Sequence, residues 1–123
     1  MPEVGKEVLS RAKVDFVMLH GLSGELPDAN DIIEGVSHAD VLISRAVQPV
    51  TRTLMMVNPN LRGIANYGVG YNNIDLTAAT ELGIPVTNTS GVLTETTADL
   101  AWALLMATAR KVPQGHDYVL SGQ

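Results

Sequence analysis

The stretch Ala65-Asn-Tyr-Gly-Val-Gly-Tyr-Asn-Asn-Ile-Asp75 holds the residue types best placed to do chemistry. An apolar run ends near Asn66, two glycines come next, and Asp75 stands where a helix cap belongs. In open α/β sheets, ligands bind at the carboxyl ends of strands, which is where such a loop falls. Gly68 and Gly70 permit positive φ and let a small ligand approach the backbone. The amides of Val69 and Gly70 could then form an anion-binding concavity for a carboxylate. The plainer alternative is a glycine turn that merely connects strand to helix. Gly68-Val-Gly70 is not a dinucleotide fingerprint, which needs a third glycine at the position of Asn73 and a full helix after the strand.

Arg45 comes after a second apolar run, residues 40–44, and so also lies at a carboxyl-terminal strand end. A guanidinium there could hold a carboxylate bidentately. A solvated loop arginine is the alternative. The three histidines, His20, His38 and His116, form no constellation and have no spacing that suits a metal pair. Glu25, Asp28, Asp31 and Glu34 read as a solvated loop and helix face. Trp102, Met106 and the leucines around them read as core. Thr94, Thr96 and Thr97 sit at a helix start, where one caps and the others could present hydroxyls to a cleft.

These residues need elements to position them, and helix and strand signals alternate along the chain. Residues 3–12 carry Val4, Val8 and Leu9 at helical spacing. Residues 14–20 read as a strand, 21–27 as a loop, and 28–37 as a helix with Ile32, Ile33 and Val36 on one face. Residues 40–44 form a second strand, Thr51 caps a short helix through Val57, and 61–66 form a third strand. Asp75 caps a helix over 76–82, Gly83 takes the left-handed C′ position, and Val86-Thr87 is a very short fourth strand. The last helix opens on a capping box, Thr96-x-x-Asp99, with Glu95 and Asp99 near its positive end and Arg110 and Lys111 near its negative end. It is apolar almost all round, which predicts burial on several sides, and Pro113 and Gly115 end it. The alternation implies an α/β fold with a parallel sheet covered on both faces.

The whole chain is 123 residues with 46% hydrophobic and 17% charged residues, which fits one packed domain. Its net charge of −5 and lack of a basic cluster argue against nucleic acid and anionic membrane surfaces as partners. No cysteine is present, so disulfides and thiolate metal sites are excluded, and a cytoplasmic setting is expected. The apolar run at residues 100–107 is too short to span a bilayer, which takes roughly 20 residues.

Three segments together resemble the D-2-hydroxyacid dehydrogenase family, and glyoxylate and hydroxypyruvate reductases in particular. They are the glycine loop quoted above, Ala78-Ala-Thr-Glu-Leu-Gly-Ile-Pro-Val-Thr-Asn-Thr89, and Val92-Leu-Thr-Glu-Thr-Thr-Ala-Asp-Leu-Ala101 running on to Arg110. The resemblance implies a flavodoxin-like substrate-binding domain over residues 1–112 and a cut linker over 113–123, leading to a Rossmann domain. It implies reversible hydride transfer between NAD or NADP and a small 2-oxo or 2-hydroxy acid. Gly68, Val69 and Gly70 would then meet the substrate carboxylate, Arg45 would lie near the same group, and Thr97 would face the nicotinamide.

The chain departs from that pattern. It is expected to lack the family's first strand and its cofactor domain, and with them the glycine-rich dinucleotide loop and the catalytic arginine, glutamate and histidine. Asn72 stands where the family usually has aspartate. No catalytic residue is therefore assigned, and the chain is expected to be inactive alone. A stand-alone small-carboxylate binding or regulatory module is the alternative, and a separate chain supplying the Rossmann half is a third. The cleft face and the apolar last helix, left uncovered, would favour self-association or poor solubility.

Overall fold

The computed structural model describes residues 3–19 and 27–122. Its elements run α1 (Glu3–Arg11), α2 (Ala29–Ser37), β1 (Val41–Arg45), α3 (Arg52–Met56), β2 (Gly63–Tyr67), α4 (Leu76–Glu81), β3 (Val86–Thr87), α5 (Thr94–Ala109) and α6 (Val112–Leu120). The three strands form one parallel sheet in the order β1-β2-β3. The expected α/β class with a parallel sheet is the observed one.

Short polar side chains start the three helices that pack on the sheet. Asp28 accepts from the Asn30 amide at 2.8 Å, and the Thr51 hydroxyl accepts from the Leu54 amide at 3.3 Å. Asp75 accepts from the Ala78 amide at 2.9 Å. Each of these caps satisfies an amide that a helix start would otherwise leave without a partner. Gly83, at φ 68, closes α4 with the Ile84 amide bonded to the Ala79 carbonyl, as the left-handed C′ position requires. Across the entrances to α3 and α4, the Val50 amide donates to the Asn73 carbonyl at 2.7 Å and the Asp75 amide to the Val50 carbonyl at 3.0 Å. Arg52 and Glu81 join α3 to α4 by an ion pair that holds the guanidinium pKa above its ordinary value.

The core forms on one face of the sheet. Ile32 and Val36 of α2, Leu54 and Met55 of α3, and Ala78 and Ala79 of α4 gather on Ile64, with Leu42 and Val86 packed against them. Leu42, Ile64 and Val86 are register partners, so they share that face. The other face carries Val41, 51% exposed, and Ile43, 48% exposed. The sheet is thus covered evenly on one side and thinly on the other, where cover on both had been expected.

Four local expectations are corrected. Residues 14–19 make no strand, although they are apolar; a strand exists only against a partner edge, and none is bonded to them among the described residues. His20 and most of the loop expected at 21–27 lie outside the described residues. The last long helix starts at Thr94 after Leu93, with no side-chain cap, so Thr96 and Asp99 fall inside it and form no capping box. No residue of α5 is buried, because the element it packs against is α6. Where a polar linker was expected at 113–123, Val112–Leu120 is helical. Pro113 lies in its first turn, where the missing amide costs nothing. Lys111, at φ 53, makes the break between the two helices.

No helix among the described residues is long and apolar enough to cross a membrane. The one-sided core makes a direct prediction. Ile64→Ala should lower unfolding free energy by about 2–5 kcal/mol, as a large-to-small core change does. Ile43→Ala, on the thinly covered face, should cost under about 1.5 kcal/mol by the same reasoning on a half-exposed side chain. Urea unfolding of the two variants should separate them clearly; equal losses would mean the second face is buried too.

Candidate active-site loop

β1 and β2 pair residue for residue, ending with Ser44 opposite Asn66 and Arg45 opposite Tyr67. Parallel strands that end level release their chains at the same edge. The turn after Arg45 and the loop after Tyr67 therefore leave the sheet side by side. They run so close that a Cβ on Gly68 would lie 2.6 Å from the Ala46 Cβ. That contact is what demands glycine at 68. The expected left-handed backbone is not observed, since neither Gly68 nor Gly70 has positive φ. At Gly70 a Cβ would meet the Asn72 Oδ1 at 3.0 Å.

The peptide planes of this loop are set by residues 88–89, just past β3. The Gly68 carbonyl accepts from the Thr89 amide at 3.0 Å. The Val69 carbonyl accepts from the Asn88 Nδ2 at 2.8 Å. In a trans peptide the next N–H points opposite to the carbonyl. The Val69 and Gly70 amides are therefore turned away from residues 88–89 together, and neither donates to an acceptor among the described residues. Two successive amides aimed the same way are the elements of an anion-binding nest.

Beneath the loop lies a polar cluster that sequence reasoning missed. The Ser44 hydroxyl donates to Asn66 Oδ1 at 2.9 Å, and both residues are 2% exposed. Asn66 Nδ2 donates to the Gly70 carbonyl at 2.7 Å. Asn66 and Asn73 also pair amide to amide, each Nδ2 3.3 Å from the other's Oδ1. Asn73 Nδ2 reaches the Gln48 carbonyl at 2.9 Å and the Arg45 carbonyl at 3.2 Å. The available signal was Asn66 itself, a polar residue closing an otherwise apolar strand.

The singled-out residues fall into two groups. Arg45, Gly68, Val69 and Gly70 are brought together by the register of β1 and β2. The Arg45 side chain is exposed and makes no ion pair among the described residues. Thr97 lies in α5, exposed, with its amide bonded to the Leu93 carbonyl at 2.9 Å and no bond to the loop. Residues 88–89, bonded to the loop, begin the segment that leads to α5. His38 and His116 are exposed, and the described residues include no cluster of three metal-binding side chains.

The loop does not fit a dinucleotide pyrophosphate. Its glycines precede Asn73 and a bridge at Ile74, and α4 begins only at Leu76, so no helix N-terminus opens directly on the glycines. The loop instead offers two amides with no acceptor among the described residues, next to the strand end that carries Arg45.

A family model described as the catalytic domain of D-isomer specific 2-hydroxyacid dehydrogenases matches residues 1–115. A glyoxylate reductase of Korarchaeum cryptofilum is 50% identical over 121 residues, covering 98% of this chain and 36% of that protein. A glyoxylate reductase of Pyrococcus horikoshii is 43% identical over 124 residues, again with 36% of its length covered. The chain thus spans about a third of the length of these curated relatives. Among solved structures, a protein of Thermus thermophilus superposes with a TM-score of 0.79 at 38% identity, over 99% of this chain and 38% of that one. The NAD-dependent formate dehydrogenase of Staphylococcus aureus, solved in complex with NAD, gives 0.72 at 28% identity over 98% of this chain and 35% of its own.

The close approach at Gly68 is directly testable. Gly68→Ala should destabilise the chain by about 1–3 kcal/mol, as overpacking does. Adding Ala46→Gly should restore most of that loss, because the clash is between the two Cβ atoms. Thermal unfolding of the single and double variants reads this out; a double variant no better than Gly68→Ala would refute the close-approach account.

Proposed function

We propose a role that rests on one premise: this chain belongs to the D-isomer specific 2-hydroxyacid dehydrogenase family and carries its catalytic domain. Within an NAD(P)-dependent reductase of the glyoxylate and hydroxypyruvate type, it holds the carboxylate of a small 2-oxo or D-2-hydroxy acid. The single observation that carries this reading is the shared orientation of the Val69 and Gly70 amides, fixed by the bonds from Thr89 and Asn88 to the two preceding carbonyls.

The amides supply two donors to one carboxylate oxygen or to the pair. Arg45, on the neighbouring strand end, supplies the opposite charge. A carboxylate so held is anchored at one end, which leaves the 2-oxo carbon next to it in a defined position for reduction. Gly68 has no donor role here; it lets the loop lie against the Ala46 backbone. Thr97 is the residue proposed to face a nicotinamide. Its exposed hydroxyl makes no bond to protein among the described residues. The glycine loop lacks the geometry for the dinucleotide, so hydride transfer is assigned to no residue of this chain.

Calorimetry with oxalate or glyoxylate should show saturable binding. Arg45→Ala should weaken it by about tenfold to a hundredfold, the range for losing a charged hydrogen-bond partner of about 1.5–3 kcal/mol. Absence of heat for any small acid would sink the reading. The 123-residue chain should not turn over glyoxylate with NADH or NADPH, and clear turnover would show that it binds cofactor by a route not proposed here.

A further inference from the structure

We infer that Asn66 and Asn73 are positioning residues that lock the two halves of the anion site into one body. This deepens the carboxylate reading above and rests on it. The halves come from different loops. One carries Arg45 and turns through Gln48; the other carries Val69 and Gly70. Past the sheet, the backbone bonds between the two loops lie at Val50, Asn73 and Asp75, and among the described residues none joins residues 45–48 to residues 68–70.

The asparagine pair does. Asn73 Nδ2 donates into the first loop, at the Gln48 and Arg45 carbonyls, 2.9 and 3.2 Å away. Asn66 Nδ2 donates into the second, at the Gly70 carbonyl, 2.7 Å away. The two amides then meet each other at 3.3 Å. Ser44 fixes the Asn66 amide from β1 through its Oδ1 at 2.9 Å. The chain of bonds therefore runs from the residue that carries the guanidinium to the residue that carries an anion-facing amide, through two side chains and no solvent-exposed link at Asn66.

The arrangement also explains which groups face out. With the Gly68 and Val69 carbonyls held by Thr89 and Asn88, and the Gly70 carbonyl held by Asn66, all three carbonyls of the loop are engaged. Their lone pairs are kept away from an incoming carboxylate, which they would repel. An asparagine at 73 is needed for this, and an aspartate is not equivalent. Aspartate would keep the acceptor for Asn66 but would set a negative oxygen against the Gln48 and Arg45 carbonyls.

The test is made on the intact chain by titrating oxalate and following amide resonances. Asn73→Ala should weaken oxalate binding about tenfold, a size typical of coupled neighbours. Its effect should be non-additive with Arg45→Ala: once the loops are unlocked, removing the guanidinium should cost less than in the parent chain. A role in stability alone would give additive losses, and additivity would overturn the inference. A ligand-free readout separates this from the fate of the carboxylate reading. In the unliganded chain, Asn73→Ala should shift the amides of residues 46–48 and 68–70 together. Shifts confined to residues 72–74 would overturn the coupling even if the parent binds oxalate. Failure of the parent to bind oxalate, with the two loops shifting together, would overturn the carboxylate role and with it the claim that the pair serves an anion site. Asn73→Asp should disturb both loops at least as much as Asn73→Ala; a silent Asn73→Asp would show that the two donated bonds are not what joins them.

Discussion

The level pairing of β1 with β2, Val41 opposite Gly63 through Arg45 opposite Tyr67, is the constraint on which core and site both depend. Side chains alternate across a strand, so a slip of one residue would exchange the faces of β2. Ile64 would leave the helices and Ala65 would replace it, opening a space where α2, α3 and α4 now converge. The same slip would part Ser44 from Asn66 and carry Arg45 past the root of the glycine loop. Burial of Ile64 at 2% exposure and the buried hydroxyl-to-amide bond therefore select one register between them. An apolar demand and a polar demand agree on it, and the loops at the strand ends inherit their places from that agreement.

Legibility in the sequence tracked the range of the interaction. Thr51 and Asp75 cap helices through their own side chains onto amides three residues away, so residue type and position sufficed to find them, whereas Asp28, read only as part of a solvated face, caps α2 in the same way. Gly83 was legible for the same reason. The strands at 41–45, 63–67 and 86–87 were found to within two residues, since short apolar runs between turn signals mark buried parallel strands. Residues 14–19 show the limit. Their side chains suit a strand, but pairing is a relation to another edge, and no local pattern states whether that edge is there. Helix α5 shows it again: an apolar surface states what a helix would prefer to touch, while the element it chiefly meets among the described residues is α6, and Trp102 stays 66% exposed.

The site was half legible. Arg45, Gly68, Val69 and Gly70 were picked out by residue type and by their place at strand ends. The reason for Gly68 was not, because a glycine announces freedom without saying whether φ or space is the need. Here it is space, against Ala46. Asn66 and Asn73 were invisible as a pair. One looked like the end of a strand and the other like turn filler, and their partners lie up to 28 residues away, at Arg45.

A buried amide is costly unless its hydrogen bonds are made. Among the described residues no buried side-chain nitrogen or oxygen lacks a partner, so this cluster meets that condition. An apolar replacement could fill the same space, but it would strand the Gly70 and Gln48 carbonyls, which have no other donor among the described residues, and leave the Arg45 carbonyl with the Gln48 amide alone. The asparagines are thus required by the backbone they serve, before any ligand is considered. Holding a carbonyl has a geometrical consequence elsewhere in the loop, because each trans peptide that fixes its oxygen turns the next N–H the opposite way. The Val69 and Gly70 amides are turned by the preceding carbonyls, those of Gly68 and Val69, which Thr89 and Asn88 hold rather than the asparagines. The satisfied interior and the orientation of the loop amides thus have separate causes, and the free guanidinium of Arg45 leaves the sheet at the same edge as the loop because β1 and β2 end level.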